Sequence, residues 1–310
     1  MRLLTEAGKH HQIALFGSGL IGSAIEEALL NQGSWTLQPR RYAWTDDARR
    51  RAELAALVSE LTHGPQSRCD VVWAAGVSGF GTTREQMHRE TSMVAELCRA
   101  ADELAASNPE LEVAFHLVSS GGGLFEGKTR IGPDTQPAPL RPYGVAKLEQ
   151  EELVRGMHPQ IRARIYRPAS VYGFRPGGRR GLFATMIVNA LANKATVISG
   201  TERTIRDYIS ADDVGNFIAR KILQAFEGGG TYLLASGKPT SMFEVVARIQ
   251  QLVGRPLYRR FEPKAPNALD QSFAQSGLPP DLRLTPLDAG LAWLRARVQE
   301  VIVRMPGAHR

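Results

Sequence analysis

Phe16-Gly17-Ser18-Gly19-Leu20-Ile21-Gly22 stands between an apolar run, Gln12–Phe16, and a helical stretch, Ile21–Gln32, that stops at Gly33. Glycines 17, 19 and 22 make a G-x-G-x-x-G pattern. That spacing permits a tight turn, close approach of a pyrophosphate to backbone N–H groups, and close packing of the following helix. Ile21 opens that helix, whose N-terminus faces the anion. A bare match is also compatible with an ordinary glycine-rich turn. With a strand before it and a helix after it, the segment reads as a dinucleotide-binding turn formed by Gly17, Gly19, Leu20, Ile21 and Gly22.

The same alternation continues outward. Asp70–Ala74 and Val113–Val118 are short apolar strands, Thr83–Ala106 is a long amphipathic helix, Pro142–Arg155 is helical, and Ala163–Arg167 is a strand. Short apolar strands alternating with helices imply a parallel α/β sheet of the Rossmann type, doubly wound, with ligands beyond the carboxyl ends of its strands. After about residue 170 the rhythm loosens. Gly173–Gly181 is a loop, and Gly181–Asn193 is a helix. A helix from Ser210 to Phe226 and a strand at Thr231–Ala235 return to the sheet. Ser241-Met242-Phe243-Glu244 is a capping box, Thr285-Pro286 opens the last helix, and the proline-rich Pro256–Pro280 reads as irregular. This organisation divides the chain into a dinucleotide-binding domain, 10–170 with 200–235, and a smaller C-terminal substrate-binding lobe, 171–199 with 236–305.

The 310 residues are 43% apolar, enough for a sizeable core, and carry a formal charge of +7. That excess is spread along the chain, so it fits a small polyanion rather than nucleic acid. Arg49-Arg50-Arg51, beside Glu53, reads as a solvated helix face. Cys69 and Cys98 fit neither a disulfide framework nor a metal spacing, which points to a reducing cytoplasm and no metal. Met1–His11 is polar and not a signal peptide, and the longest apolar stretch, Leu182–Ala192, falls short of a membrane span.

Three groups of residues carry chemistry. Where an acid would hold the adenosine ribose, about 20 residues past the glycines, the chain has Pro39-Arg40-Arg41. Arginine there accommodates a 2′-phosphate and points to NADP rather than NAD, although surface charges are the plain alternative. Asp46 is the nearest acid and is placed after a third strand around Tyr42–Trp44. Tyr143 and Lys147, four apart, share a helix face. An ammonium beside a phenol favours the phenolate and lets the pair exchange a proton with a carbinol oxygen. Ser119-Ser120, ending a strand before Gly121-Gly122-Gly123, offers a hydroxyl to that oxygen, or is a simple Gly/Ser turn.

The order of these pieces, followed by Arg167-Pro168-Ala169-Ser170-Val171-Tyr172-Gly173, resembles the extended short-chain dehydrogenase/reductases, the NAD(P)-dependent nucleotide-sugar epimerase and dehydratase group. The resemblance covers about residues 12–300. Ala74-Ala75-Gly76 looks like the cofactor-contacting turn after the fourth strand, and Arg206-Asp207-Tyr208-Ile209 through Asp212-Asp213-Val214 resembles a later landmark. The resemblance implies Ser120, Tyr143 and Lys147 as catalytic, with Tyr143 and Lys147 also at the cofactor together with Pro168 and Val171. It implies a nucleotide diphosphate sugar held by Ser120, Ser170, Val197 and Arg206. The plain alternative for Arg206 is a salt bridge to Asp207 or Asp212. A homodimer through Thr83–Ala106 and Pro142–Arg155 is implied as well. Several positions depart from the family pattern. Phe16 replaces its first glycine, Glu90 stands where an Asn is usual, Ser170 replaces an Asn, and Phe125-Glu126 replaces Tyr-Gly. Gly121-Gly122 after Ser120 leaves no second acid to expel water, which disfavours 4,6-dehydration. The resemblance, by the breadth of the family alone, implies an epimerase working through a keto sugar. An NADPH-dependent 4-keto-sugar reductase is the alternative, and a non-catalytic dinucleotide-binding regulator is the alternative of another class.

Overall fold

The computed structural model describes residues 1–8, 10–76, 81–178, 180–224 and 228–304. In chain order the elements are β1 (Arg2–Glu6), β2 (His11–Phe16), α1 (Leu20–Gln32), β3 (Trp35–Pro39), α2 (Asp47–His63), β4 (Arg68–Trp73), α3 (Arg84–Ser107) and β5 (Glu112–Val118). Then come α4 (Gly121–Leu124), α5 (Pro142–Arg155), β6 (Arg162–Pro168), β7 (Ser170–Tyr172), α6 (Leu182–Leu191), β8 (Thr196–Ser199) and β9 (Ile205–Ser210). The chain ends with α7 (Ala211–Leu223), β10 (Gly230–Leu234), β11 (Pro239–Ser241), α8 (Met242–Val253), β12 (Arg259–Glu262) and α9 (Leu287–Arg304).

The fold class expected from the sequence is present. A seven-stranded sheet runs in the order β10-β6-β5-β4-β2-β1-β3. β2, β4, β5 and β6 pair in parallel, with Ile13 opposite Asp70 and Asp70 opposite Ala114. Their side chains are buried on both faces, as continuous apolar strands between helical layers must be. α1 buries Gly22, Ala24, Ile25, Ala28 and Leu29, spacings that put them on one face. α3 opens on a capping box between Thr83 and Gln86 and buries Met87, Glu90, Val94, Leu97, Cys98 and Ala101 along one stripe.

Several local expectations are corrected. Met1–His11 contains a strand: β1 lies between β2 and β3 and is antiparallel to both. Only Leu3 and Leu4 of β1 are buried, so its apolar signal is too short to read. Tyr42–Trp44 is not a strand; Asp46 caps α2 by accepting from the Arg49 N–H. Arg50 is not solvated. It is buried on α2, where its guanidinium donates to both oxygens of Glu96 and to Asp47. Pro256–Pro280 is not wholly irregular, because β12 pairs in parallel with β8. Phe226, where the sequence ends the helix after Ser210, lies outside the described residues.

The chain forms two compact units. The first comprises Met1–Leu124, Pro139–Arg167 and Gly215–Tyr232; the second comprises Phe125–Ala138, Pro168–Val214 and Leu233–Arg310. This division differs from the one read from the sequence at 125–138, 168–170, 200–214 and 233–235, all of which belong to the second unit; at 200–214, β9 joins a three-stranded sheet with β7 and β11. The first unit's core includes Phe16, Trp73, Val94, Leu97, Phe115 and Ile165. The second unit's core includes Phe183, Met186, Ile187, Val245, Ile249 and Leu294.

Candidate active site

The glycine turn sits where β2 meets α1, and its three glycines are needed for three reasons. Gly17 has φ +108°, and a Cβ there would lie 2.5 Å from the Ala74 carbonyl carbon. Ala74 in turn donates its N–H to the Phe16 carbonyl at 2.8 Å, binding the turn to the end of β4. A Cβ on Gly22 would strike the Gly17 carbonyl, so the helix packs directly on the turn. A Cβ on Gly19 would meet nothing within 4 Å. Gly19 is also the N-cap of α1, with no side-chain cap and no acid in the first turn. An anion therefore finds open space and orphan N–H groups there. These residues fit a dinucleotide pyrophosphate.

Arg40 and Arg41 follow β3, and β1 separates that strand from β2. Tyr42 brings the segment back, its ring edge-on to Phe16 at 5.0 Å. The Arg40 guanidinium donates to Glu60 at 2.8 Å and to Gln38 at 3.1 Å, while Arg41 is exposed. Ala74, Ala75 and Gly76 form the turn after β4. Gly76 has φ +156°, and a Cβ there would lie 3.2 Å from Glu90 Oε2.

Ser119 and Ser120 behave differently although adjacent. Ser119 Oγ donates to Glu151 Oε1 at 2.6 Å, and Arg167 grips the same carboxylate at 2.9 and 2.6 Å. Burial would push the Glu151 pKa up, but the bonds from Arg167, Ser119 and Arg155 outweigh it and hold the carboxyl below its ordinary value. Ser119 is thus a structural partner. Ser120 Oγ instead accepts from the Gly123 N–H at 3.0 Å. The glycines after it form α4, not a turn. α4 packs against α5, and a Cβ on Gly123 would lie 2.8 Å from Tyr143 Cδ1. Ser120, Gly123 and Tyr143 are thereby brought together.

Tyr143 and Lys147 share one face of α5, with the Lys147 ammonium 5.9 Å from the Tyr143 ring centroid. Lys147 is 4% exposed and donates to Glu90 Oε1 at 2.8 Å and Gln150 Oε1 at 3.0 Å. Burial alone would lower its pKa. The charges of Glu90, Tyr143 and Glu151 and the bond to Glu90 reverse that, so the ammonium is held above its ordinary value. Sequence reasoning noted Glu90 only as a departure and missed this contact. The available signal was a carboxylate on the apolar stripe of α3, between Met87 and Val94.

The remaining expected site residues, Pro168, Ser170, Val171, Val197 and Arg206, belong to the second unit. Val197 is exposed on β8. Arg206 lies on β9. Its guanidinium donates to the carbonyls of Ile205, Leu269 and Asn267, and Asp207 accepts from Ser236. Among the described residues there is no cluster of three or more metal-ligating side chains, and no helix long and apolar enough to cross a membrane.

Residues 17–235 match the model of the NAD dependent epimerase/dehydratase family. The chain belongs to that family. It is 30% identical over 164 residues to the UDP-glucose 4-epimerase of Azospirillum brasilense, a match covering 46% of this chain and 47% of that one. UDP-glucose 4-epimerase 1 of Oryza sativa subsp. japonica is 26% identical over 187 residues, covering 52% and 53%. This family member thus spans about half the length of the curated relatives it matches. Among solved structures, MoeE5 in complex with UDP-glucuronic acid and NAD superposes with TM-score 0.75 at 21% identity, covering 93% of this chain and 99% of that one. The UDP-glucose 4-epimerase of Thermus thermophilus in complex with NAD superposes with TM-score 0.71 at 19% identity, covering 93% and 98%. At those identities the two structures establish the shared epimerase fold.

Proposed function

We propose that the chain is an NAD(P)-dependent nucleotide-sugar epimerase. The observation that carries the reading is the placement of Tyr143 and Lys147 on one face of α5, with Ser120 beside them through Gly123, in the same unit as the glycine turn. When bound, the nicotinamide supplies a reversible hydride acceptor. The chain's own residues then handle the proton. Tyr143 takes it from a sugar hydroxyl and returns it when the keto sugar has turned its other face. Ser120 would donate a hydrogen bond to the reacting oxygen, and the Lys147 ammonium would hold the ribose hydroxyls. Gly17, Gly19, Leu20, Ile21 and Gly22 would hold the pyrophosphate, with Ala74, Ala75, Gly76, Pro168 and Val171 along the rest of the dinucleotide.

The substrate assigned is a nucleotide diphosphate sugar. UDP-glucose is the first to try, since both curated relatives are named for it. Arg206 is assigned to the diphosphate, with Ser170 at the sugar and Val197 beside the base. Arg40 and Arg41 favour NADP over NAD, with the exposed Arg41 better placed than Arg40, which Glu60 engages. The same pair supports the second reading, a 4-keto-sugar reductase consuming NADPH. A non-catalytic regulator is disfavoured, because such a protein has no use for the Ser120–Tyr143–Lys147 arrangement. A homodimer on α3 and α5, and a reducing compartment for the free Cys69 and Cys98, belong to the same reading.

NMR of the purified protein with UDP-, GDP- and dTDP-sugars, each with NAD(H) and NADP(H), tests it. Tyr143→Phe should lose about 10²–10⁴-fold in turnover while keeping cofactor affinity and melting temperature. No conversion of any sugar, or a Tyr143→Phe chain as fast as the parent, would overturn the proposal.

A further inference from the structure

The contact between α3 and α5 places a carboxylate under the reacting pair. Glu90 lies on the buried stripe of α3, where the other buried positions, Met87, Val94, Leu97, Cys98 and Ala101, are apolar. One of its oxygens accepts from Lys147 at 2.8 Å and from Gln150 Nε2 at 3.2 Å. The other faces Gly76, whose positive φ and missing Cβ leave room for it. Glu90 is buried, so its charge is little screened by water. We propose that Glu90 is a positioning residue that fixes the Lys147 ammonium and cancels its charge beneath Tyr143, so that the phenol keeps its proton to a higher pH than an uncompensated lysine would allow.

Within the contact itself Glu90 and Lys147 carry one charge of each sign. From α3 comes Glu90, and from α5 come Tyr143, Lys147, Gln150 and Glu151. Glu151 is itself engaged by Arg167 from β6, Arg155 from α5 and the Ser119 hydroxyl from the end of β5. The Lys147 ammonium is thus offset by one carboxylate in direct contact. A lysine with only amide partners would pull the phenol toward its anion, since an opposite charge within about 4–6 Å lowers an acid's pKa by roughly 1–3 units. The consequence is functional. A protonated Tyr143 is ready to give a proton to a carbonyl oxygen, whereas taking one from a hydroxyl requires the anion. The Glu90 carboxylate tilts the pair toward the reductive half of the reaction and moves the oxidative half to higher pH.

This inference rests on the epimerase reading for its consequence but not for its test. The phenol titration of Tyr143 can be followed without substrate, by ultraviolet difference absorbance of the NAD-loaded chain against its Tyr143→Phe counterpart. Glu90→Gln and Glu90→Asn should each shift that titration down by about one pH unit. Glu90→Asp, which keeps the charge, should hold it near the parent's value. The paired variant Glu90→Gln/Lys147→Gln, which leaves no buried charge uncompensated if a single variant fails to fold, should titrate near the parent. Lys147→Gln alone should titrate higher. If Glu90→Gln titrates with the parent, or if the paired variant moves as far as Lys147→Gln alone, the carboxylate does not balance the lysine and the inference falls. Failure of every nucleotide sugar to react would overturn the epimerase reading and leave these titrations standing on their own.

Discussion

Gly123→Ala puts one methyl group under the ring of Tyr143, and the structure sets the size of its effect. The new Cβ would lie 2.8 Å from Cδ1 and 2.9 Å from Cε1 of Tyr143, and 3.3 Å from the Gly144 Cα. Carbon atoms rest at about 3.5–4.0 Å, so the ring must retreat by about 0.7 Å or more. Displacing a reacting group by about 1 Å costs on the order of 10²-fold in rate, which places the loss here at about 10- to 100-fold in kcat. Stability should change less. Overpacking costs about 1–3 kcal/mol, and about 1 kcal/mol is recovered because alanine is the better helix former on α4. Kinetics of the proposed reaction and a thermal melt on the same preparation should therefore show a large fall in kcat, a small shift in Tm and an unchanged cofactor affinity. A Gly123→Ala enzyme with parental kcat would refute the claim that α4 sets the position of the Tyr143 ring. A collapse in Tm comparable to the loss of a core residue would show that the backbone, not the ring, absorbs the clash.

Gly19→Ala should leave Tm intact, because its Cβ meets no protein atom, yet weaken NADH binding about tenfold or more by filling the space offered to the pyrophosphate; fluorescence titration checks this, and parental affinity would sink it. Stability should also depend on pH through the buried pair formed by His116 Nε2 and Asp70 Oδ1 at 2.8 Å, with Tyr166 on the other ring nitrogen. Burial lowers the His116 pKa despite the Asp70 bond and charge, so the folded chain binds fewer protons there than the unfolded one. That contribution is complete above the unfolded value of about 6.5 and erodes as pH falls through it. His116→Gln should flatten the slope of denaturation midpoint between about pH 7 and 5, and an unchanged slope would assign it elsewhere.

Much of the architecture follows from local chemistry that a linear sequence displays. The glycine turn, the Thr83 and Ser241 capping boxes and the proline that opens α5 each act within a few residues. The parallel strands β2, β4 and β5 are legible because burial on both faces makes them mostly apolar, with Asp70 and His116 as buried exceptions. The family's Ser, Tyr and Lys positions were legible for a related reason, since Tyr143 and Lys147 are one helical turn apart. Contacts between distant segments decided the rest. Arg50 looks solvated within its own helix and is buried only because Glu96 of α3 meets it. Ser119 and Ser120 are equivalent as a dipeptide until Glu151 claims the first and α4 the second. Glu90 and Lys147, 57 residues apart, show no sign in the sequence of being partners until α3 and α5 pack. β1 carries only Leu3 and Leu4 as buried residues, and it becomes a strand because β2 and β3 both offer unpaired edges to it. Sequence by itself displayed the glycine turn, the parallel strands of the sheet's centre and most of its helices. Tertiary structure decided which charges are paired and which of two adjacent serine hydroxyls a carboxylate engages, because partners for buried polar groups are set by packing and not by spacing along the chain.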